Sequence, residues 1–169
     1  MRKLISIALN LVTCFCLTIL AVTLNGCNSM SSSGQAAKSL DYLSLLTGDW
    51  NVSKIDGKDP ASIANTSSIT RLPSMSIDPA GKVSGSTGVN RYASNIDPAR
   101  LASGKFSLSP AATTKMAGTP EASQIETAFT SALSKVSSID LKSLAGGTLS
   151  LLGEDGNEVL RFIRAATGK

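Results

Sequence analysis

The chain has 169 residues, of which 42% are hydrophobic, only 4% aromatic and 17% charged, with no histidine and a formal net charge of +4 at pH 7. The charged fraction lies below the roughly 25% of a typical soluble domain, because residues 4–24 include no acidic or basic residue. Removing Arg2 and Lys3 leaves 14 basic and 12 acidic residues, which are scattered and form no basic stripe with interleaved aromatic residues. Composition therefore argues against a nucleic-acid partner.

The N-terminus has the three parts of a secretory signal: Met1-Arg2-Lys3 is positive, residues 4–22 are apolar, and a small residue precedes Cys27. The run Leu24-Asn25-Gly26-Cys27 resembles a lipobox, which implies lipid attachment to the Cys27 thiol and cleavage before it. We predict a signal peptide over residues 1–26 and a protein facing the periplasm. An Asp directly after the lipidated Cys would retain the processed lipoprotein in the inner membrane. This chain has Asn28 there, which favours the outer membrane. The alternative is an uncleaved anchor, since about 20 apolar residues can span a bilayer.

The mature chain is predicted to begin with a tether and continue as one domain. Residues 27–39 are mostly small and polar, which predicts a lipidated flexible segment. Residues 40–169 are enough for one hydrophobic core. Cys14 and Cys16 lie inside the signal, so the folded domain has no thiol and no disulfide.

Short strands and turns dominate the domain, beginning with a short helix. Ser39 can cap a helix carrying Leu40, Leu43 and Leu46, which ends at Gly48. Alternating apolar residues and turn signals predict strands over residues 50–55, 74–78, 82–85, 105–109, 148–152 and 158–163. Residues 59–73 lack periodicity and are interpreted as an exposed insertion.

One amphipathic helix interrupts these strands. Thr119 is a suitable N-cap and Pro120 suits the first helical position. An apolar stripe recurs at helical spacing through Ile125, Ala128, Phe129, Ala132, Leu133 and Val136. The predicted fold is therefore mainly β (α+β), a small antiparallel curved sheet or β-barrel with this helix packed on it.

The residue types for common catalytic and metal centres are absent from the domain. Without His or Cys, neither the Ser-His-Asp or Cys-His arrangement nor a His/Cys metal site can form. Carboxylates remain at Asp56 and Asp59, and at Glu154, Asp155 and Glu158, but both groups fall on predicted turns where they favour local hydrogen bonding. We predict no catalytic residue, no metal, no cofactor and no enzymatic activity.

The glycine-rich run over residues 85–91 allows two interpretations, and its Gly85, Gly88, Asn90 and Arg91 form the candidate binding loop. Backbone N–H groups and Arg91 could bind an anion, although the Lys-Ser/Thr ending of a phosphate-binding P-loop is missing. The favoured interpretation is a bulged strand or tight bend, in which glycine permits the turn and Asn90 fixes it.

Several segments together resemble the META domain, also called the HslJ family, from about residue 45 to residue 164. They are residues 46–50, 55–57, 76–92, 104–108, 113–118 and 147–151. Val89 and Gly118 stand where the family often has cysteines. The absence of both cysteines together is expected if the family joins these two positions by a disulfide.

The resemblance implies a small antiparallel β-barrel or strongly curved sheet with a packed helix. The family includes envelope proteins linked to antibiotic tolerance. The function that the resemblance implies is therefore non-catalytic envelope maintenance, or tolerance of stress and antibiotics. Two alternatives stay open: a barrel that binds a small apolar or amphipathic ligand, and a protein-partner, inhibitor-type module. The expected partners are the membrane, through the lipid on Cys27, and an unidentified envelope protein or small ligand.

Overall fold

A computed structural model describes residues 42–66 and 71–166 of the chain. The predicted signal, Cys27, the tether, and the capping Ser39 with Leu40 lie outside the described residues. Residues 42–46 are helical, as predicted, and form α1. The other helices are α2 (Pro60–Ile63), α3 (Pro98–Ala102), α4 (Pro120–Ser134) and α5 (Leu141–Leu144).

Eight antiparallel strands form one sheet that curls into a half-barrel, which confirms the predicted fold class. The strands are β1 (Gly48–Ile55), β2 (Ser74–Ile77), β3 (Lys82–Ser86), β4 (Arg91–Asn95), β5 (Ala112–Thr113), β6 (Val136–Asp140), β7 (Thr148–Gly153) and β8 (Glu158–Arg164). Their order across the sheet is β5-β4-β3-β2-β1-β8-β7-β6. Strand β1 therefore lies in the interior of the sheet and joins β2 to β5 on one side to the three C-terminal strands on the other.

The structure confirms both predicted hairpins. Each could be predicted because local turn chemistry determines it. Between β2 and β3, the Asp78 carboxylate accepts the backbone N–H of Ala80 and of Lys82, each at 2.8 Å, and Gly81 has a φ of +81°. Between β7 and β8, Asp155 accepts the N–H of Asn157 at 3.0 Å. Such aspartate-centred turns fix the register of the strands that they join.

Helix α4 begins as predicted and packs on the inner face of the sheet. The Thr119 hydroxyl accepts the Ala122 N–H at 3.3 Å, and Pro120 is the first helical residue. Phe129 is fully buried, with its ring centroid 6.2 Å from that of Tyr92 and 6.3 Å from that of Phe162. The interior of the half-barrel is therefore filled with side chains, and the largest fully buried ones are Trp50, Phe106, Phe129 and Phe162.

Val136 was wrongly placed on the helical stripe. The helix ends at Ser134, and the N–H of Lys135 bonds to the carbonyls of Ala132 and Leu133. Val136 instead starts β6, whose partner is β7. Pairing with a neighbouring strand outweighs the helical spacing here, because it satisfies the backbone groups that a longer helix would have bonded internally.

The predicted strand over residues 105–109 is an extended segment that makes only single bridges. The Phe106 N–H donates to Ser137 O at 3.1 Å, next to β6, and the Ser109 N–H donates to Asn95 O at 2.9 Å, at the end of β4. Phe106 is buried and Leu108 partly buried, as predicted. The segment thus connects strands from opposite halves of the sheet and helps to close the curl.

Candidate functional site

The run over residues 85–91 forms the end of β3, a tight turn and the first residue of β4. The Thr87 N–H donates to Asn90 O at 2.8 Å, and the Thr87 hydroxyl accepts the Asn90 N–H at 2.9 Å. Gly88 has a φ of +106°, a conformation that favours glycine. The predicted bend is confirmed, and its glycine requirement comes from backbone conformation.

Gly85 is needed for a different reason, because it lies inside β3 opposite Tyr92. A Cβ atom at this position would overlap the Ser74 carbonyl oxygen and lie 2.8 Å from the Tyr92 ring. The Tyr92 hydroxyl donates to Ser74 O at 3.0 Å, and burial raises the pKa of this phenol well above its usual value. Tyr92 is therefore a neutral donor that fixes β4 across the glycine.

The Asn90 side chain is occupied by structural hydrogen bonds. Its Oδ1 accepts the Thr114 hydroxyl at 2.9 Å and the Met116 N–H at 2.7 Å. Its Nδ2 donates to Glu126 Oε1 at 2.9 Å, and the Thr87 hydroxyl donates to the same oxygen. This asparagine joins the turn to residues 114–116 and to α4, so its amide is not free for a ligand.

Glu126 was missed in the sequence as a member of this network. In the sequence it stands among Ser123, Thr127 and Thr130, and nothing distinguishes it from a residue on the solvent side of the helix. In the structure its carboxylate is half-buried and turns toward Thr87 and Asn90. No local pattern connects residues 36 to 39 positions apart, and such a pairing follows only from the packing of the helix on the sheet.

Val89 and Gly118, which stand where the resemblance implies cysteines, are in contact. A Cβ atom added at Gly118 would lie 3.3 Å from the Cβ of Val89 and 2.5 Å from its Cγ2. Disulfide-bonded cysteines have Cβ atoms about 3.5 to 4.5 Å apart. Valine and glycine thus fill, without a bond, a place with nearly the geometry that a disulfide requires.

On the outer face of the sheet, an open cleft of about 740 Å³ lies beside this turn. Strand register places Asn51, Ser74, Ser86 and Arg91 in one row across β1 to β4. All four residues line the cleft, together with Arg71, Leu72, Ser84, Gly85 and Tyr92. Of the predicted binding loop, Gly85 and Arg91 therefore border this cleft, whereas Gly88 borders a second cleft beside the start of α4.

Among the described residues that line the outer cleft, the charged groups are two guanidinium groups. Arg71 and Arg91 are exposed, and neither side chain makes a hydrogen bond or ion pair with any described residue. The hydroxyls of Ser74 and Ser84 are likewise unbonded to described residues, and Ser86 Oγ accepts the Gly88 N–H at 3.1 Å. The cleft therefore presents mainly hydrogen-bond donors and positive charge.

The carboxylates considered in the sequence occupy turns and surface ion pairs. Asp59 lies 3.0 Å from Lys54 Nζ, Asp56 lies 3.2 Å from Lys135 Nζ, and Glu158 lies 2.9 Å from Arg161 Nε. Backbone and side-chain hydrogen bonds from Asn157 hold the pKa of Asp155 below its usual value. Asp56, Glu154 and Asp155 lie on turns, as predicted. Asp59 instead precedes α2 as its N-cap, and Glu158 begins β8.

Within residues 42–66 and 71–166, no group of three His, Cys, Asp or Glu side chains could hold a metal ion. Among the helices that the structure describes, none is long and apolar enough to cross a membrane.

Fold and site together define a small antiparallel β half-barrel domain with a long helix on its inner face and a polar turn bound to that helix. The META domain family model matches residues 43–166, and the chain belongs to this family. The predicted resemblance is thereby confirmed.

Two solved structures are similar to the chain. One NMR structure has a TM-score of 0.53 at 19% identity and covers 76% of this chain and 97% of its own. A second, of a protein from Burkholderia xenovorans, has a TM-score of 0.49 at 21% identity and covers 75% of this chain and 88% of its own. No curated protein matches the chain. At 19% identity, the first similarity concerns the fold alone.

Proposed function

We propose that this META-domain protein is a non-catalytic lipoprotein of the bacterial cell envelope. The lipid on Cys27 would anchor it in the outer membrane, with the domain in the periplasm. Its role there would be envelope maintenance or tolerance of stress and antibiotics. The observation that carries the anchoring is the N-terminal order of charged start, uncharged apolar run and Leu24-Asn25-Gly26-Cys27.

The packing of the domain supports a role performed by its surface. Trp50, Phe106 and Phe129 fill the interior of the half-barrel and are at most 2% exposed. A barrel that carries an apolar ligand usually keeps an apolar cavity of about 300 to 1,000 Å³ for it. The clefts described above lie among polar residues at the surface, so the filled interior favours the envelope-maintenance role over the ligand barrel.

Lipid labelling and complementation test this function together. A deletion strain would express the wild-type protein, Cys27→Ser or Cys14→Ser, each with labelled palmitate. We expect label in the wild type and in Cys14→Ser, whose altered thiol lies within the signal, and none in Cys27→Ser. Survival under heat or antibiotic stress should follow the same order.

Equal labelling of Cys27→Ser and the wild type would refute the lipid anchor. Full survival of the unlabelled Cys27→Ser strain would refute the requirement for anchoring. A reproducible partner cross-linked to the acylated protein would favour the partner-binding module instead.

A further inference from the structure

We propose that the outer cleft lined by Arg71 and Arg91 is a binding site for a phosphate group. Binding there does not require acylation at Cys27, so it goes beyond the proposed envelope role and can fail or succeed separately from it. The first argument is charge. Both guanidinium groups border one cleft, and none of the described residues that line it carries a carboxylate.

The lining groups match the chemistry of an oxyanion. A guanidinium group presents a planar fork of N–H donors that suits phosphate and carboxylate oxygens. The hydroxyls of Ser74, Ser84 and Ser86 and the amide of Asn51, which line the same cleft, offer further donors. In the strand register Asp49 lies one row away on the same face, beside Ser76, and outside the cleft.

Phosphate fits this set better than a carboxylate does. Phosphate has more acceptor oxygens and, at neutral pH, up to twice the charge, so it can use two guanidinium groups and several hydroxyls at once. The row from Asn51 to Arg91 crosses three strand spacings, about 14 Å. A cleft of this width and of about 740 Å³ admits a phosphate attached to a larger polar group.

The backbone of β2 to β4, which carries Arg91 and the three serines, is firmly held. The Arg91 N–H donates to the Thr114 hydroxyl at 3.0 Å, and the Thr114 N–H donates to Arg91 O at 3.1 Å. Ser74 O accepts the buried Tyr92 hydroxyl, and Ser86 Oγ accepts the Gly88 N–H. A donor set on a fixed backbone loses less entropy on binding, which favours recognition of a specific anion.

The test uses the full-length acylated protein, labelled with ¹⁵N, in a nonionic detergent. Sodium phosphate would be titrated against sodium chloride at equal ionic strength while amide signals are recorded. We expect saturable shifts at Ser74, Ser84, Ser86 and Arg91 with phosphate and none with chloride. Arg71→Gln and Arg91→Gln should each raise the dissociation constant by about tenfold or more, which corresponds to the loss of one charge-assisted contact.

Arg100→Gln is the matched control, because this exposed arginine lies on α3, beyond the opposite end of β4 from Arg91. It should change the dissociation constant by less than about twofold. A second titration with phosphatidylglycerol in the same micelles, against phosphatidylcholine, separates the two sources of phosphate. Shifts with inorganic phosphate identify a free phosphate ligand, and shifts with phosphatidylglycerol alone identify a lipid headgroup.

Two results would overturn the proposal. One is the absence of cleft shifts with both phosphate sources. The other is an equal loss of affinity in Arg91→Gln and Arg100→Gln, which would mean that phosphate responds only to overall charge. Signals of buried residues such as Leu149 serve as the check that each variant remains folded.

Discussion

The β3–β4 turn and the outer cleft both use residues from the run 85–91, but their polar groups have different partners. In the turn, Thr87 and Asn90 are bonded to each other, and both are bonded to Glu126 of α4. In the cleft, Arg71 and Arg91 are bonded to no described residue through their side chains. One short stretch of chain thus has a side that maintains the fold and a side that faces solvent.

Burial explains the difference. A buried amide must be hydrogen-bonded, because leaving it unpaired costs about 1 to 3 kcal/mol. An exposed guanidinium is solvated by water, and removing it costs little stability. Variants of the hydrogen-bonded turn residues should therefore change the free energy of unfolding, and variants of the two arginines should change ligand binding. The predictions below test this separation with urea denaturation of the full-length acylated protein in nonionic detergent.

The largest effect is expected beneath the turn, at Phe129. This side chain is fully buried between the rings of Tyr92 and Phe162. Phe129→Ala should lower the free energy of unfolding by about 3 to 5 kcal/mol, because it removes apolar contacts and leaves a cavity. Ser131→Ala, an exposed change on the same helix, should stay within about 0.5 kcal/mol. A loss below 1 kcal/mol at Phe129 would contradict the packing of α4.

The second largest effect is a gain in the free energy of unfolding, from an engineered disulfide between positions 89 and 118. Val89→Cys with Gly118→Cys should form the bond spontaneously in an oxidising medium, given the contact between these positions. Closing a loop of about 30 residues should raise stability by about 3.5 kcal/mol in the chain-entropy model. The gain should vanish with reductant. Gly118→Cys alone should destabilise the protein, because its Cβ would overlap Val89.

Asn90→Ala should lower the free energy of unfolding by about 2 to 3 kcal/mol. The Met116 N–H and the Thr114 hydroxyl would lose their acceptor, and the Glu126 carboxylate would lose a donor. Asn95→Ala is the matched control at the exposed end of β4, and we expect a change within about 0.5 kcal/mol. Glu126→Gln keeps an acceptor oxygen and should cost less than Asn90→Ala. Equal stability of Asn90→Ala and Asn95→Ala would show that the network contributes nothing.

Gly88→Ala should lower the free energy of unfolding by about 1 to 2 kcal/mol, through backbone strain alone. The glycine has a φ of +106°, yet an added Cβ would have no neighbour closer than 3.6 Å. Gly146→Ala is the control, since its φ lies outside the positive region and the nearest atom would be 3.5 Å away. It should be neutral or slightly stabilising. A neutral Gly88→Ala would mean that the turn can relax.

Elements defined by local chemistry could be predicted from the sequence. Pro120 and Thr119 start α4, and the aspartate turns define two hairpins. β4 was missed because one of its inward residues is Ser94, which hides the alternation of apolar residues. The Ser94 hydroxyl donates to Ser109 O at 2.7 Å, so a contact across the fold permits a polar residue there. β6 was missed for a related reason, since Ser137 and Ser138 lie between Val136 and Ile139.

The cleft could be predicted only in part. Arg91 was noticed because it follows a glycine-rich run, whereas Arg71 lies in a segment without periodicity. Their proximity depends on the register of β2 against β3 and of β3 against β4. A shift of one residue in either pairing would turn the serines to the other face. Register is determined by the whole sheet, so a local pattern cannot predict it.

The smallest effect on stability is expected at Arg91 itself, and it completes the contrast with Asn90. Arg91→Gln should change the free energy of unfolding by less than about 0.5 kcal/mol in chloride, because the side chain is exposed and has no partner among the described residues. Phosphate at ten times its dissociation constant should stabilise the wild type by about 1.4 kcal/mol, since it binds the folded state only. That gain should persist in Asn95→Ala and fall to about 0.4 kcal/mol or less in Arg91→Gln, whose dissociation constant is expected to be about tenfold higher or more. A loss above 1 kcal/mol in chloride would instead assign Arg91 to the fold, and an undiminished phosphate gain in Arg91→Gln would remove it from the cleft's function.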